Sequence, residues 1–392
     1  MLPDADFFSF ENLLSPEEAA KLSELRSFLA SEVLPYAAGW WDEARFPVEL
    51  LPGLASLGLS TPVQRGYSPL FAGLVIAEMT RADTSIATFF MVHHDLFVEG
   101  LHAFGSEEQK ARLLADAQSL KITGAFALTE PDHGSDVAGG MSATAVRDGD
   151  TWVLNGTKRW IGNGTFCDWM LFWAREPATG KVRGFLLDAT LPGITRTRIE
   201  NKTALRTVQN ADIELSDVRV PETDRLAGID SFDDTKHLLR GSRIMVGWQA
   251  VGQQLAAFDV ARAYALERRQ FGRPLASFQL VQQQLVRMQG NLVASTGMLA
   301  RVSELEQGGY GAVDGAARGD MARAALAKSY ASALMRETVS LGRSLLGGNG
   351  IVTDYRMAKI FADAEAIYTY EGTYEINSLI AGREISGVSA LR

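Results

Sequence analysis

The spacing of apolar residues changes twice along this chain of 392 residues. Through the first third it follows a helical repeat, with Leu22, Leu25, Leu29 and Val33 on one face of a 3.6-residue turn. From Lys121 to about Val220 short β-branched and aromatic runs alternate with turn residues, the mark of short strands. From Phe232 the helical repeat returns in long segments. This order confines the strands to one central block and implies an α+β protein. We expect an N-terminal helical domain at 1–120, a middle antiparallel β domain (a barrel or a sandwich) at 121–231, and a C-terminal four-helix bundle at 232–392.

Local signals sharpen this outline. Ser15-Pro16-Glu17-Glu18 is a helix start with hydroxyl cap, N1 proline and first-turn acids. Further helices are expected at Glu49 to Leu57, Phe71 to Arg81 and Ile86 to Phe104, and Ser106 to Gln109 reads as a capping box for a helix ending near Gln118. Asp148-Gly149 and Asn155-Gly156 flank Thr151 to Leu154 and predict strands joined by tight hairpin turns. Trp169 to Trp173, Arg183 to Leu187, Ile194 to Ile199 and Ala211 to Leu215 read as strands. The bundle helices are expected at Asp234 to Arg269, Phe278 to Gln307, Gly319 to Leu346 and Tyr355 to Ile367, with Gly308 to Gly311 as a break.

Composition excludes several classes. A net charge of −9 with no run of Lys or Arg argues against nucleic-acid binding. No apolar run approaches the roughly 18 residues of a membrane span. Met1 to Asp6 is acidic and lacks a signal peptide's basic start, and Ser389 to Arg392 is not a Ser-Lys-Leu ending. The single cysteine, Cys167, leaves no disulfide framework. The protein therefore reads as cytoplasmic. His93 and His94 are adjacent on a helix and point apart, so no metal site is expected there.

Near the C-terminus, Tyr368 to Tyr374 separates the helical run Ala358 to Ile367 from the amphipathic run Ile376 to Ile385. Gly372 permits a positive φ and Thr373 supplies an N-cap hydroxyl. Glu371 is either a helix-start acid facing the macrodipole or a carboxylate presented by a turn. Phe126 to Asp136 leaves a strand for a Gly- and Asp-rich loop, either a surface turn or a cradle for phosphate or a flavin edge. It is not a GxGxxG fingerprint. Lys158 to Asn163 reads as the closing of a hairpin, in which Trp160 fills a core or covers a flat cofactor. Arg268, Arg269 and Arg273 suit a helix C-terminus. Leu345 to Gly350 has more glycine than a C-cap needs, which also permits close approach to a ligand.

In order, Leu-Thr-Glu-Pro…Gly-Ser-Asp, Trp-Ile, Arg-x-Gln-Phe-Gly, Leu-Gly-Gly-Asn-Gly and Tyr-Glu-Gly-Thr resemble the FAD-dependent acyl-CoA dehydrogenases across nearly the whole chain. Within the family the chain resembles the glutaryl-CoA dehydrogenase branch, and Lys158 to Asn163 and Tyr368 to Asn377 are similar in particular to the plant peroxisomal short-chain acyl-CoA oxidases. The resemblance implies the same three domains, with Glu371 as catalytic base taking the pro-R Cα proton of an acyl thioester while a Cβ hydride passes to flavin N5. Burial beside the thioester would make that carboxylate a stronger base. The developing oxyanion would be held by the Glu371 N–H and a ribityl hydroxyl.

Implied FAD contacts are Phe126, Leu128, Thr129, Gly134, Ser135, Trp160, Ile161, Gly162 and Thr373, together with Arg268, Gln279, Ser344, Leu345, Leu346, Gly347 and Gly348. Of these, Arg268, Gln279 and the Gly347-Gly348 segment would reach the FAD of a neighbouring subunit, so a homotetramer is implied. Ser135, Arg243 and Gly372 would touch the CoA thioester. Two positions depart from the family pattern. Ala87 stands where glutaryl-CoA dehydrogenases place an arginine for the distal carboxylate, and Gly162 replaces the Thr or Ser that hydrogen-bonds flavin N5. The reading is dehydrogenation of short- to medium-chain monocarboxylic acyl-CoAs, with electrons passed to electron-transfer flavoprotein. The alternatives are an oxidase using dioxygen and a non-catalytic acyl-CoA-binding or assembly protein.

Overall fold

The structure, a computed structural model, describes residues 5–307 and 316–390; the glycine break expected at Gly308 to Gly311 lies outside them. Helix α1 (Pro16–Phe28) starts as the sequence predicts. Ser15 Oγ accepts from the Glu18 N–H while the Glu18 carboxylate accepts from the Ser15 N–H. Short helices α2 (Ala37–Asp42) and α3 (Leu51–Ser56) lead to α4 (Pro69–Ala82), α5 (Thr84–Phe90) and α6 (Glu99–Phe104). The helical run expected from Ile86 to Phe104 widens into π-helical turns over Met91–Val98. Helix α7 (Glu107–Gln118) opens on the second capping box, Ser106 with Gln109.

The strands are β1 (Gly124–Ala127), β2 (Thr144–Asp148), β3 (Thr151–Ile161), β4 (Trp169–Arg175), β5 (Val182–Asp188), β6 (Ile194–Arg198) and β7 (Ala211–Pro221), with a short helix, α8 (Val137–Gly140), after β1. They form one sheet in the order β1-β4-β2-β3-β7-β6, with β5 on β4. Pairing is antiparallel except that β1 runs parallel to β4, and β2 meets β4 at one parallel position. Among the described residues no pairing joins β6 to β1 or β5, so the sheet is curled rather than a closed barrel.

Two turn expectations need correction. Asp148-Gly149 does turn the β2–β3 hairpin, with Gly149 at φ 65. Asn155-Gly156 lies instead inside β3, where the register against β7 slips between Leu154 and Gly156. Gly156 has φ 137, and a Cβ there would sit 2.6 Å from Ala143 Cα, so the glycine marks a bulge. Lys158 to Asn163 does not close a hairpin: β3 pairs with β2 and β7, while the following strand, β4, pairs with β1, β5 and one end of β2.

The C-terminal part comprises α9 (Lys236–Glu267), a small hairpin of β8 (Arg269–Gln270) and β9 (Arg273–Pro274), then α10 (Gln279–Gln307), α11 (Ala316–Leu345), α12 (Met357–Thr369) and α13 (Tyr374–Ser386). Helix α9 packs against α10, α11, α12 and α4. One apolar core therefore joins the first helices to the bundle through Phe71, Met79, Trp248, Leu299 and Met335. One cluster on the sheet includes Phe172, Ile213 and Val220; another packs Trp173 and Leu186 against Phe97 and Leu101. No helix among the described residues is long and apolar enough to cross a membrane.

Candidate active site

Glu371 sits in the turn between α12 and α13, at φ 52, and is followed by Gly372 at φ 81. A left-handed glutamate costs on the order of 1–3 kcal/mol and persists only where its surroundings hold it. It is therefore not a first-turn acid of α13; that place belongs to Glu375. Thr373 caps α13 through its side chain, which accepts from the Ile376 N–H at 3.2 Å. A side chain at Gly372 would meet Asn377 Nδ2 at 2.9 Å and Arg243 Nε at 3.6 Å. Glycine is required there by both backbone and space.

The Glu371 carboxylate accepts a hydrogen bond of 2.6 Å from Ser242 Oγ. Arg243, the next residue of α9, donates through Nη1 to Met321 Sδ, and its Nε is buried with no protein partner. Burial holds the Arg243 guanidinium below its ordinary value, against the opposing pull of the Glu371 charge. A buried donor without a protein acceptor beside this carboxylate calls for a partner. Upstream of this turn, Lys359 Nζ lies between Asp83 at 2.9 Å and Asp363 at 2.8 Å. Asp363 also accepts from Trp41 Nε1 and the Leu205 N–H. This buried network fixes α12 to the first helices and to the β region.

Trp160 resolves one alternative left by the sequence. It lies where the β3–β7 register slips, at φ 65, and is 52% exposed, so it does not fill the core. The Arg159 guanidinium lies 5.2 Å from its ring centroid and pairs with Asp212 at 2.6 Å. Gly162 follows, and a Cβ there would come 3.0 Å from Val92 Cγ2. The π-helical turns thus lie directly against the end of β3. Asn163 adds a bond from Nδ2 to the Gly124 carbonyl at 3.2 Å. The Gly124 N–H donates to His93 Nδ1, so His93 carries its proton on Nε2 and donates to Ala117 O at 2.8 Å. Burial pushes His93 down to about 4. Its two ring nitrogens thus tie β1 to the last turn of α7.

The loop after β1 rests on a buried ion pair. Lys158 Nζ lies 2.7 Å from Glu130 Oε1, with the two side chains 0% and 1% exposed. Lys158 also donates to Leu128 O, while Glu130 accepts from Ser142 and the Ala143 N–H. Burial opposes the charge on Glu130, but Lys158 and Ser142 outweigh it and hold the carboxyl down at about 2. Phe126 is buried against Trp173, Leu128 and Ile161 are buried, and the Thr129 carbonyl accepts from the Arg159 N–H. Gly134 and Ser135 are exposed on the loop. An exposed tryptophan face beside Gly162, with the loop after β1 pinned by a buried ion pair, suits a flat aromatic cofactor.

The remaining expected residues lie elsewhere. Arg268 follows the last turn of α9 and Arg243 is near its start, roughly 37 Å apart at 1.5 Å per residue. Arg268 and Gln279 are exposed. Ser344, Gly347 and Gly348 are exposed too, Leu345 and Leu346 are buried, and a Cβ at either glycine would meet nothing within 4 Å. Sequence reasoning missed Ser242, the Lys158–Glu130 pair and Lys328, a fully buried lysine whose Nζ donates to Gly372 O at 2.7 Å. A lysine inside the apolar repeat of α11 was the only local signal for the last.

Three family models match the chain: Acyl-CoA dehydrogenase, N-terminal domain, over residues 15–121; the middle domain over 125–218; and the C-terminal domain over 232–386. A probable acyl-CoA dehydrogenase of Bacillus subtilis, YngJ, is 30% identical over 386 residues, covering 95% of this chain and 98% of that protein. A crystal structure of glutaryl-CoA dehydrogenase from Mycobacterium smegmatis superposes with a TM-score of 0.93 at 33% identity, covering 100% of both chains. A glutaryl-CoA dehydrogenase structure from the same organism, in complex with FADH2, gives a TM-score of 0.93 at 29% identity over 99% of each chain.

Proposed function

Because the chain belongs to the acyl-CoA dehydrogenase family, we propose that it converts short- to medium-chain saturated monocarboxylic acyl-CoAs to trans-2-enoyl-CoAs, with FAD as cofactor and Glu371 as base. The observation that carries this reading is the Glu371 carboxylate, presented by a left-handed turn, bonded to Ser242 and next to an Arg243 Nε without a protein acceptor. Bound FAD supplies the acceptor for the substrate's Cβ hydride. Glu371 takes the Cα proton, and Ser242 holds the carboxylate in place without carrying an opposing charge. The Glu371 N–H stands ready for the thioester oxygen as it gains charge. Arg243, Gly372 and Ser135 contact the CoA thioester.

Phe126, Leu128, Thr129, Gly134, Trp160, Ile161, Gly162 and Thr373 form the FAD site in this reading. We assign Arg268, Gln279 and the Gly347-Gly348 segment to a neighbouring subunit's FAD, within a homotetramer; the separation of Arg268 from Arg243 along α9 supports this for Arg268. Substrate choice follows from Ala87, which is buried with Ile86, Phe89 and Phe90. Arg81 is already paired with Glu78 and Asp259. A distal carboxylate would be desolvated there without a partner cation. The acceptor we assign is electron-transfer flavoprotein, in the cytoplasm. Gly162 offers N5 no hydroxyl, as an oxidase reading requires, but Val92 lies 3.0 Å from where a Cβ there would sit, which narrows the space for dioxygen and favours the dehydrogenase.

Anaerobic titration of the purified yellow protein with acyl-CoAs tests the proposal. Butyryl- to octanoyl-CoA should bleach the flavin. A colourless protein that FAD does not reconstitute would leave a non-catalytic acyl-CoA-binding protein.

A further inference from the structure

We propose that Lys328 is a positioning residue that locks the turn carrying Glu371 from beneath, through its two backbone acceptors. The proposal rests on the reading of Glu371 as the base. Lys328 Nζ donates to Tyr368 O at 2.9 Å and to Gly372 O at 2.7 Å. These carbonyls stand on either side of Glu371. The first belongs to the last turn of α12, where carbonyls lack helical partners; the second follows two successive left-handed residues. Asn377 Nδ2 adds bonds to Gly372 O at 2.7 Å and Thr373 O at 3.1 Å.

Packing alone does not explain a lysine here. Its side chain is wholly buried, where an ammonium is costly unless its donors are filled, and both its acceptors belong to this turn. The charged groups that face it are Glu371 in the turn, Glu375 on α13 and Arg243 on α9. Burial pulls Lys328 down to about 7; Glu371 and Glu375 oppose that pull and Arg243 adds to it. A methylene chain would occupy the same space but leave Tyr368 O without this donor and Gly372 O held by Asn377 alone. The turn would then lose its tie across Glu371 from Tyr368 O to Gly372 O, with Ser242 and Asn377 left to hold it.

The test compares Lys328→Met, Lys328→Gln and a packing control, Met335→Ala, buried on the same face of α11. Each FAD-loaded protein is mixed anaerobically with butyryl-CoA, and the reduction rate constant at saturation is read separately from the butyryl-CoA Kd. Rates are expressed per bound FAD. The Met variant should lose about 10²-fold in rate, the scale of an approximately 1 Å misplacement, with Kd within about threefold. Lys328→Gln keeps two N–H donors and should recover part of the rate; it decides alone if the Met variant fails to hold FAD. The control should reduce normally.

A Met variant, or a Gln variant where it stands alone, reducing within about twofold of wild type would overturn the proposal. A rate loss matched by the control, or by an equal loss of butyryl-CoA affinity, would do so as well. Glu371→Gln is run in parallel. If it is inactive and Lys328→Met is normal, only the positioning role fails; if it is fully active, the base assignment fails and the proposal goes with it.

Discussion

Replacing Lys158 by methionine tests whether the buried ion pair holds the loop between β1 and β2. Lys158 and Glu130 are 0% and 1% exposed, with Nζ and Oε1 2.7 Å apart. Methionine preserves much of the volume but leaves the carboxylate facing Ser142 and Ala143 without its cation. Removing one partner of a buried pair costs about 3–5 kcal/mol. For 392 residues unfolding as one unit, at about 2.1 cal/mol/K per residue, that is a fall in Tm of roughly 4–6 °C. Calorimetry of the FAD-loaded protein measures it. The double variant Lys158→Met/Glu130→Gln should regain at least half the loss, because the orphaned charge is gone. FAD should bind more weakly in the single variant, since the Leu128 carbonyl loses its donor. A Lys158→Met midpoint within about 1 °C of wild type, or a double variant no better than the single, would refute the reasoning.

The same pair gives a pH dependence. Glu130 is held at about 2, below its ordinary value, so its stabilising contribution is complete above about pH 4.5 and disappears as pH falls toward about 2. Acid unfolding curves of wild type and Lys158→Met should therefore converge over that window, and a constant gap would contradict the assignment. Glutaryl-CoA should be a poor substrate beside butyryl- or hexanoyl-CoA, because Ala87 provides no cation; steady-state kinetics favouring glutaryl-CoA would mean another cation reaches the chain end. Gly162→Thr must push Val92 aside from its 3.0 Å contact, an overpacking worth about 1–3 kcal/mol. It should slow reoxidation of the reduced flavin by aerated buffer, and equal rates in stopped flow would remove Gly162 from control of oxygen access.

Features decided within a few residues were legible in the sequence. The capping boxes at Ser15 and Ser106, the Thr373 cap and the positive φ of Gly372 all follow from local chemistry. Asn155-Gly156 misled because the same dipeptide serves a hairpin turn or a bulge, and pairing with β7, more than fifty residues away in sequence, made it a bulge. Trp160 was ambiguous for a similar reason: its exposure depends on the slip in register beside it. Lys158 stands next to Arg159, and nothing nearby reveals that one is buried against Glu130 while the other reaches Asp212. Lys328 lies 43 positions before Glu371, and only the packing of α11 against α12 and α13 brings it under the turn. Local signals fixed where the elements begin; partners across the fold decide which polar residues matter.

Whether Glu371 removes the substrate proton is measured by anaerobic stopped-flow reduction of FAD-loaded Glu371→Gln by butyryl-CoA. Glutamine is nearly isosteric and can still accept from Ser242 Oγ, which lies 2.6 Å from the native carboxylate, so folding and FAD binding should survive. Flavin reduction should fall by about 10²–10⁴-fold, the scale of a lost general base, while butyryl-CoA still binds. Reduction at the wild-type rate would contradict the account and place the base elsewhere in the chain.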